Sequence, residues 1–572
     1  MRRKQLTFRI RLLSVFVLLI GCIIIGRLYQ LQIHSSYVYV DKAERQYVHT
    51  AADLYDRGSI FFETRDGNKL SAAAVRSGYV LAVNPEMITD ANDVCEKLRD
   101  FYSKDTEWCI ERTTLPERTY VELVQQITDE EAEVIRTHDL DGVFLYRNRW
   151  RYYPGGPVAA RSVGFVAYGN EGNQLRGKYG LERQYDDVLY REGETMSVNF
   201  FAELFSNLGD LVYGNDQYKS GDIVTTLEPS VSGMLDTVLY ETNEKYDSIL
   251  TGAIIMDPKT GEIVAMNAVP SFDLNDRSEA TIDQFRNPLV EDVYEFGSTI
   301  KALTMAAGLD SGVITSESTY YDAGFIELDT FKISNYDGRG RGTVPMQEIL
   351  NQSLNTGVSH IVKKMGKDSF REYFLNLKIG SESGIDLPNE AFGLIENLNS
   401  PRDVEYATAS FGQGIALTPI ATIRALAALG NGGYLVTPHL AKSIDYLDGT
   451  TKDILYPQGT QVFSEATSEE ISRMLTIVVD DALRGGTVAL PNHTIAAKTG
   501  TAQIADPVNG GYYEDKFLHS FFGYFPAYNP EFIVFMYTVE PKGVRYASET
   551  LTDPFMEVTR FLVNYYSIPP DR

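Results

Sequence analysis

Positive charge is scarce in this chain: 52 lysines and arginines stand against 78 aspartates and glutamates, a net charge of -26. A nucleic-acid binder would carry a basic face, so that class of partner is excluded. Histidine is sparse as well, with 7 in 572 residues, and no G-x-S-x-G elbow accompanies a serine. A Ser-His-Asp hydrolase is therefore disfavoured, and His519, just before Ser520-Phe521, is expected to be a structural strand residue. No spacing of histidine, cysteine or acid suits a metal ion, so neither a metal nor an organic cofactor is expected; Asp292 and Asp386 read as turn or cap residues. Long apolar runs are also missing apart from one, Leu12 to Gly26. No low-complexity tract occurs, and 44% apolar with 12% aromatic residues suits a folded protein long enough for two or more domains.

Against these absences stands Glu295-Phe296-Gly297-Ser298-Thr299-Ile300-Lys301, followed by the helix formers Ala302 to Ala307. If the run opens a helix, Ser298 and Lys301 share a face one turn apart. A neutral lysine amine can then take the serine proton, which requires burial or a second cation to disfavour the charged form. Serine activated by lysine is one solution to acyl transfer. Two further runs follow in order, Ser353-Leu354-Asn355 and Lys498-Thr499-Gly500-Thr501. Ser353 can relay a proton to a leaving amine, and Asn355 can hold a substrate amide through its donor and its acceptor. Lys498 supplies the second cation, and Thr499 and Thr501 offer hydroxyls to a substrate carboxylate. Gly500, lacking a side chain, is expected to let the substrate lie along its strand as an added strand. Singly, the second run reads as a helix cap and the third as the end of a surface strand. Three in this order resemble the motifs of the penicillin-recognising serine acyltransferases.

The N-terminus carries what positive charge is concentrated: Arg2, Arg3, Lys4, Arg9 and Arg11, without an acid among the first eleven residues. Leu12 to Gly26 is shorter than the roughly 20 residues of a spanning helix, but snorkelling by Arg11 and Arg27 extends it. The expectation is a stub at 1–9 in the cytoplasm, an uncleaved anchor at 10–30, and the remainder outside the membrane. The alternative is a cleaved signal, against which no small-x-small site follows. Cys95 and Cys109 then face an oxidising compartment, where they can close a loop worth about 3 kcal/mol if near enough in space.

Further along, leucine, valine and isoleucine recur at helical spacing between Thr119 and Thr137. Glu228-Pro229 opens an amphipathic helix to about Tyr246. Gly252–Met256 and Ile263–Met266 read as strands about a turn at Asp257 to Gly261. Helical patterns run from Ser298 to about Ala428, and a second hairpin turns at Asn529-Pro530. A last helix, from Asp553 to Tyr566, would cover the sheet. Strands, then helices, then strands is an α+β pattern with an antiparallel sheet.

Together these residues resemble the class B penicillin-binding proteins over nearly the whole chain. The catalytic half also has Gly384-Ile385-Asp386-Leu387-Pro388 and Ser410-Phe411-Gly412-Gln413-Gly414. The N-terminal half has Arg57-Gly58-Ser59-Ile60, Arg151-Tyr152-Tyr153-Pro154-Gly155 and Gly180-Leu181-Glu182-Arg183-Gln184-Tyr185-Asp186. Phe296, Ala497 and Glu228 depart from the usual proline, glycine and aspartate. The resemblance implies an elongated, mostly β pedestal at 31–225 and a transpeptidase domain at 226–572. It implies D,D-transpeptidation of peptidoglycan stem peptides, with Ser298 as nucleophile, Lys301 as base, and Ser353 with Lys498 as proton relay. Asn355, Thr499, Gly500 and Thr501 would bind substrate, and the N–H groups of Ser298 and Thr501 would form the oxyanion hole. β-Lactams would be inhibitors. The cell-division branch is the nearer likeness, with a glycan polymerase of the SEDS type and division proteins as partners in the membrane.

Alternatives differ in what attacks the acyl-enzyme. A β-lactamase needs a hydrolytic base, for which Glu396 in Glu396-Asn397-Leu398-Asn399 is the candidate, one residue short of the usual spacing. A D,D-carboxypeptidase differs only in using water instead of an amine. A silent division scaffold or an antibiotic sensor is disfavoured by the intact serine and lysine set and the short N-terminal stub.

Overall fold

The computed structural model describes residues 56–168, 175–191 and 220–572. The anchor expected at 10–30 lies outside these residues, as does the N-terminal stub. Among the described residues no helix is long and apolar enough to cross a membrane. By contacts the described chain forms two units, one of residue 56 with 75–150, the other of 57–74, 151–168, 175–191 and 220–572.

In the smaller unit, Val121–Ile127 pairs antiparallel with the end of Lys69–Val83, in register Tyr79 with Ile127. The helical expectation for Thr119 to Thr137 is corrected here. Only Asp129–Thr137 is helical, opened by a capping box in which Thr128 and Glu131 bond each other's backbone N–H. Residues 121–127 alternate buried and less buried positions, a period of two that the helical reading overlooked. Helices Ala91–Lys97 and Thr106–Thr113 join the third, so the unit is mixed and not mostly β as expected. A disulfide links Cys95 to Cys109 between the first two, with Cα atoms 5.8 Å apart.

The larger unit is built on a five-stranded antiparallel sheet, in the order Ala496–Ala505, Tyr512–Phe525, Phe532–Val539, Leu250–Met256, Ile263–Val269. Both faces are covered, which is why Phe532–Val539, Leu250–Met256 and Ile263–Val269 are apolar almost throughout. Ile254, Phe535 and Tyr537 face a core with Leu303 and Ile423, whereas Ile255, Val534 and Met536 face Leu235, Phe555 and Leu562. The second face belongs to helices Pro229–Tyr246 and Thr552–Tyr566, close to the expected bounds. Glu228 caps the first of these: its carboxylate accepts from Val231 N–H at 2.6 Å and from the Tyr565 hydroxyl at 2.8 Å. Helices do not run unbroken from Ser298 to Ala428, because short strands at Thr319–Asp322, Phe325–Leu328, Phe331–Ser334 and Gly342–Pro345 intervene.

The three N-terminal runs converge on one buried ion network. Glu182 accepts from Arg57 Nε at 2.7 Å and from Arg151 Nε at 2.6 Å, while Asp186 takes Arg57 Nη1 at 2.7 Å. The Arg57 and Glu182 side chains are 0% exposed. Such charges are tolerated in a core only when paired and hydrogen-bonded.

Candidate active site

Ser298 stands where a 3₁₀ turn, Gly297–Thr299, leads into helix Lys301–Asp310. Gly297 makes this entry possible. Its φ is +59°, and a Cβ there would lie 2.7 Å from the carbonyl oxygen of Thr501. The turn is thereby pressed against the sheet's edge strand Ala496–Ala505. Phe296, departing from proline, is buried edge-on against Phe535 with centroids 4.9 Å apart, and its carbonyl accepts from Ser520 Oγ at 2.7 Å. The Ser410–Gly414 run supports the turn from the other side. Gly297 N–H bonds Gly412 O at 3.2 Å, and Gly414 N–H bonds Glu295 Oε1 at 2.9 Å.

Ser353 occupies the sharp junction between helices Met346–Asn351 and Asn355–Met365. It has φ +52°, and Leu354 N–H reaches back to Ile349 O at 3.0 Å. This is a Schellman cap at a position usually given to glycine, so a serine there carries strain that packing must hold. Lys301 Nζ donates to the Ser353 carbonyl at 2.6 Å and to Ser353 Oγ at 3.1 Å. Lys498 Nζ donates to the same Oγ at 3.2 Å and to Thr499 O at 3.0 Å. Both lysines are buried, at 0% and 3% exposure. Burial, and secondarily the charge of Lys498, pushes Lys301 well below the ordinary lysine range; burial alone brings Lys498 down to about 8.

Ser298, Ser353, Asn355, Lys498, Thr499 and Thr501 line a groove of about 790 Å³. Lys301 lies beneath it. The remaining charged lining residues are Lys332, Arg484 and Arg545, and no acid is among them. In a chain of net charge -26 that local excess of cations suits an anionic substrate. Asn355 Nδ2 donates to Ser334 O at 2.9 Å, which holds the side chain at the groove wall. Thr501 Oγ1 accepts from Ala547 N–H at 3.0 Å.

Gly500 is not among the residues lining the groove. A Cβ there would meet Phe296 O and Ser520 Oγ at 2.4 Å each, so the missing side chain makes room for the Ser298 turn. Ala497, usually glycine, is opposite Gly523 in register.

Known proteins decide the family. The family described as "Penicillin binding protein transpeptidase domain" matches residues 251–558, and that described as "Penicillin-binding Protein dimerisation domain" matches 56–198. The chain belongs to the class B penicillin-binding proteins. It is 30% identical to Stage V sporulation protein D of Bacillus subtilis, over 97% of this chain and 85% of that protein. It is 25% identical to the peptidoglycan D,D-transpeptidase FtsI homolog of Mesostigma viride, over 100% and 98%. The crystal structure of penicillin-binding protein 2X from Streptococcus thermophilus has the same fold, with TM-score 0.70 at 22% identity over 90% of this chain and 80% of that one. As a class B penicillin-binding protein, the chain is a serine D-Ala-D-Ala transpeptidase acting on peptidoglycan and a target of β-lactams.

In this penicillin-binding protein some residues do other work than their spacing suggested. Asp386 is no turn or cap residue. Its buried carboxylate accepts from Leu440 N–H at 2.7 Å, Ala441 N–H at 2.8 Å and the hydroxyls of Tyr185 at 2.9 Å and Tyr456 at 3.2 Å. Asp322, unremarked in the sequence, accepts from Thr356 Oγ1 at 2.8 Å and Asn335 Nδ2 at 3.0 Å, and so fixes the start of the Asn355 helix. Its signal was only an acid in a turn-rich stretch. Asp292 is the C-cap residue of helix Pro288–Glu291, as expected, and its carboxylate pairs with Arg286 at 2.8 Å. His519 is buried in the sheet as expected, and burial lowers it to about 4, so it stays neutral.

Proposed function

We propose that this transpeptidase cross-links stem peptides in septal wall synthesis, with Ser298 as its acylated residue. Ser298 Oγ attacks the carbonyl between two terminal D-alanines, and its proton passes to Lys301. Ser353 then hands a proton to the departing D-alanine amine and is resupplied from Lys498. The proton held by Lys301 returns to Lys498 through Ser353. An amine of a neighbouring strand then attacks the ester, neutral Lys301 takes the amine's proton and passes it to Ser298 Oγ, and Ser298 is released. The observation that carries this reading is the pair of lysines on one hydroxyl: Lys301 and Lys498 both bond Ser353 Oγ, at 3.1 and 3.2 Å. A neutral amine accepts as well as donates, so Ser353 can give a proton to one lysine and take one from the other. Asn355 would hold the substrate amide, and Thr499 and Thr501 its terminal carboxylate. The N–H groups of Ser298 and Thr501 would hold the oxyanion, a contact worth roughly 10²–10³ in rate.

The edge position of Ala496–Ala505 supports binding of the peptide as an added strand. The wider setting is read from sequence: an anchor at 10–30, residues 31–225 as docking domain, residues 226–572 outside the membrane, and a SEDS-type polymerase as partner. The likeness to FtsI-named proteins supports the septal role. Intact-protein mass spectrometry after incubation with a penicillin should give one adduct, on Ser298, absent in Ser298→Ala. An adduct that survives the substitution refutes the assignment. A fluorescent fusion should concentrate at division sites, and uniform lateral labelling would exclude the septal role. Protease added to wall-stripped cells should spare only a small N-terminal fragment if the anchor is uncleaved.

A further inference from the structure

The groove holds more cation than the proposed chemistry uses. Lys498 is bound to Ser353, and Arg484 is neutralised by Asp553 at 2.6 Å. Arg545 and Lys332 also line the groove, both exposed, and among the described residues neither makes an ion pair. Lys332 faces Glu327 across its hairpin, yet its ammonium lies 4.1 Å from the centre of the Phe325 ring instead.

Arg545 is held firmly at its backbone. His519 Nε2 lies 3.0 Å from the Arg545 carbonyl, which can only accept, so Nε2 carries the proton and the neutral ring adds no charge. Two residues on, Ala547 N–H bonds Thr501 Oγ1 at 3.0 Å. Glu549, the acid near this segment, has its carboxylate on Tyr546 N–H at 3.1 Å. The opposite wall reaches the same place, for the rings of Tyr336 and Tyr546 meet edge to face at 5.9 Å. Lys332 and Arg545 thus flank one opening.

The terminal carboxylate of a D,D-peptide already has hydroxyl donors and a cation in Thr499, Thr501 and Lys498. We propose that Arg545, assisted by Lys332, selects donor peptides carrying a second free carboxylate on a residue before the scissile bond. The proposal rests on the reading of Ser298 as the acylated residue. It says that amidation of that second carboxylate weakens the donor, because the guanidinium then loses a charged partner but still meets a polar group.

The test uses two synthetic peptides ending in D-alanyl-thioglycolate, whose thioester stands in for the scissile amide and whose terminal carboxylate stays free. They differ only in a carboxylate or carboxamide on the residue before the reacting unit. With the whole chain in detergent, the carboxylate peptide should acylate with a kcat/KM about two- to fivefold higher, as an exposed ion pair allows. The preference should shrink as salt is raised. Arg545→Gln should bring the ratio close to one, and Lys332→Gln should reduce it partially. Equal kcat/KM on Ser298 for both peptides overturns the proposal alone. A ratio unchanged in Arg545→Gln while both rates fall assigns Arg545 to the terminal carboxylate and overturns it too. A peptidyl adduct on a residue other than Ser298 overturns the reading beneath it.

Discussion

Around Glu182 buried charges meet as opposites, with arginines 57 and 151 closing on one carboxylate at 2.7 and 2.6 Å. Around Ser353 they meet as likes, two lysines on one hydroxyl with no acid lining the groove above. The first arrangement satisfies every charge and holds segments of chain far apart in sequence. In the second, burial disfavours the cationic form of both lysines, and at Lys301 the charge of Lys498 adds to it, which costs stability and favours a neutral amine at Lys301. Buried charge therefore has two readings in this molecule, and the sign of the neighbour separates them.

The largest expected effect comes from removing one of the likes. Lys301→Met should lower penicillin acylation about 10²–10⁴-fold, the usual contribution of a general base. It should also leave the protein at least as stable at neutral pH. Lys301 binds its proton less readily folded than unfolded, so its linkage term lowers stability below the folded pKa and recovers as pH rises towards the ordinary value of about 10.4. Methionine fills similar volume without that term. Stopped-flow acylation and thermal melts check both halves; an active variant, or a clearly less stable one, breaks the comparison.

Removing the centre of the opposites should do the reverse. Glu182→Gln leaves buried Arg151 without its counter-charge and Arg57 with Asp186 alone, at a cost of about 3–5 kcal/mol. Melting should fall sharply, while molecules that remain folded still label at Ser298. Slow acylation in fully folded material would show that the network reaches the chemistry.

A third effect is on pH. If Lys498 acts as a cation for the substrate carboxylate, acylation should decline as pH rises through about 8, where burial has brought its titration. Lys498→Arg keeps the charge and should move that alkaline limb upward, whatever it does to the plateau. A limb that stays near the same pH belongs to another group.

How much of this could be read beforehand follows the range of each interaction. The order of Ser298, Lys301, Ser353 and Lys498 announced the chemistry because each motif is local and its residue types are chemically narrow. Helix Pro229–Tyr246 and the hairpin at Asn529-Pro530 were legible for the same reason, being written in caps and turns. Val121–Ile127 was misread because apolar residues at short spacing fit both periods over a few positions. The second task of Gly500 was not legible, since there the missing side chain matters to Phe296, about two hundred residues earlier. Glu182 drew notice only through resemblance, and Asp386 was read as a turn or cap; their partners come from distant segments, and no spacing encodes that. Spacing could not settle the Cys95–Cys109 bond either, for it depends on where two helices pack.

The smallest expected effect is a null. Glu396 was the one acid whose position invited a hydrolytic role, and it begins the 3₁₀ turn Glu396–Asn399 with its side chain exposed. It is not among the groove-lining residues. A carboxylate that activates water on the acyl-enzyme must stand within hydrogen-bond reach of that water, directly or through one other. A groove whose charged lining residues are all cations provides no such group, so the penicilloyl ester on Ser298 should persist for minutes or longer. Glu396→Gln should leave that lifetime unchanged to within about twofold, since surface substitutions away from a site usually have effects within ±0.5 kcal/mol. The decay of the adduct, followed by intact mass after excess drug is removed, measures it. Fast turnover abolished by Glu396→Gln would put an acid beside the like-charged pair after all, and the contrast between the two buried clusters would no longer mark the difference between holding the fold and doing the chemistry.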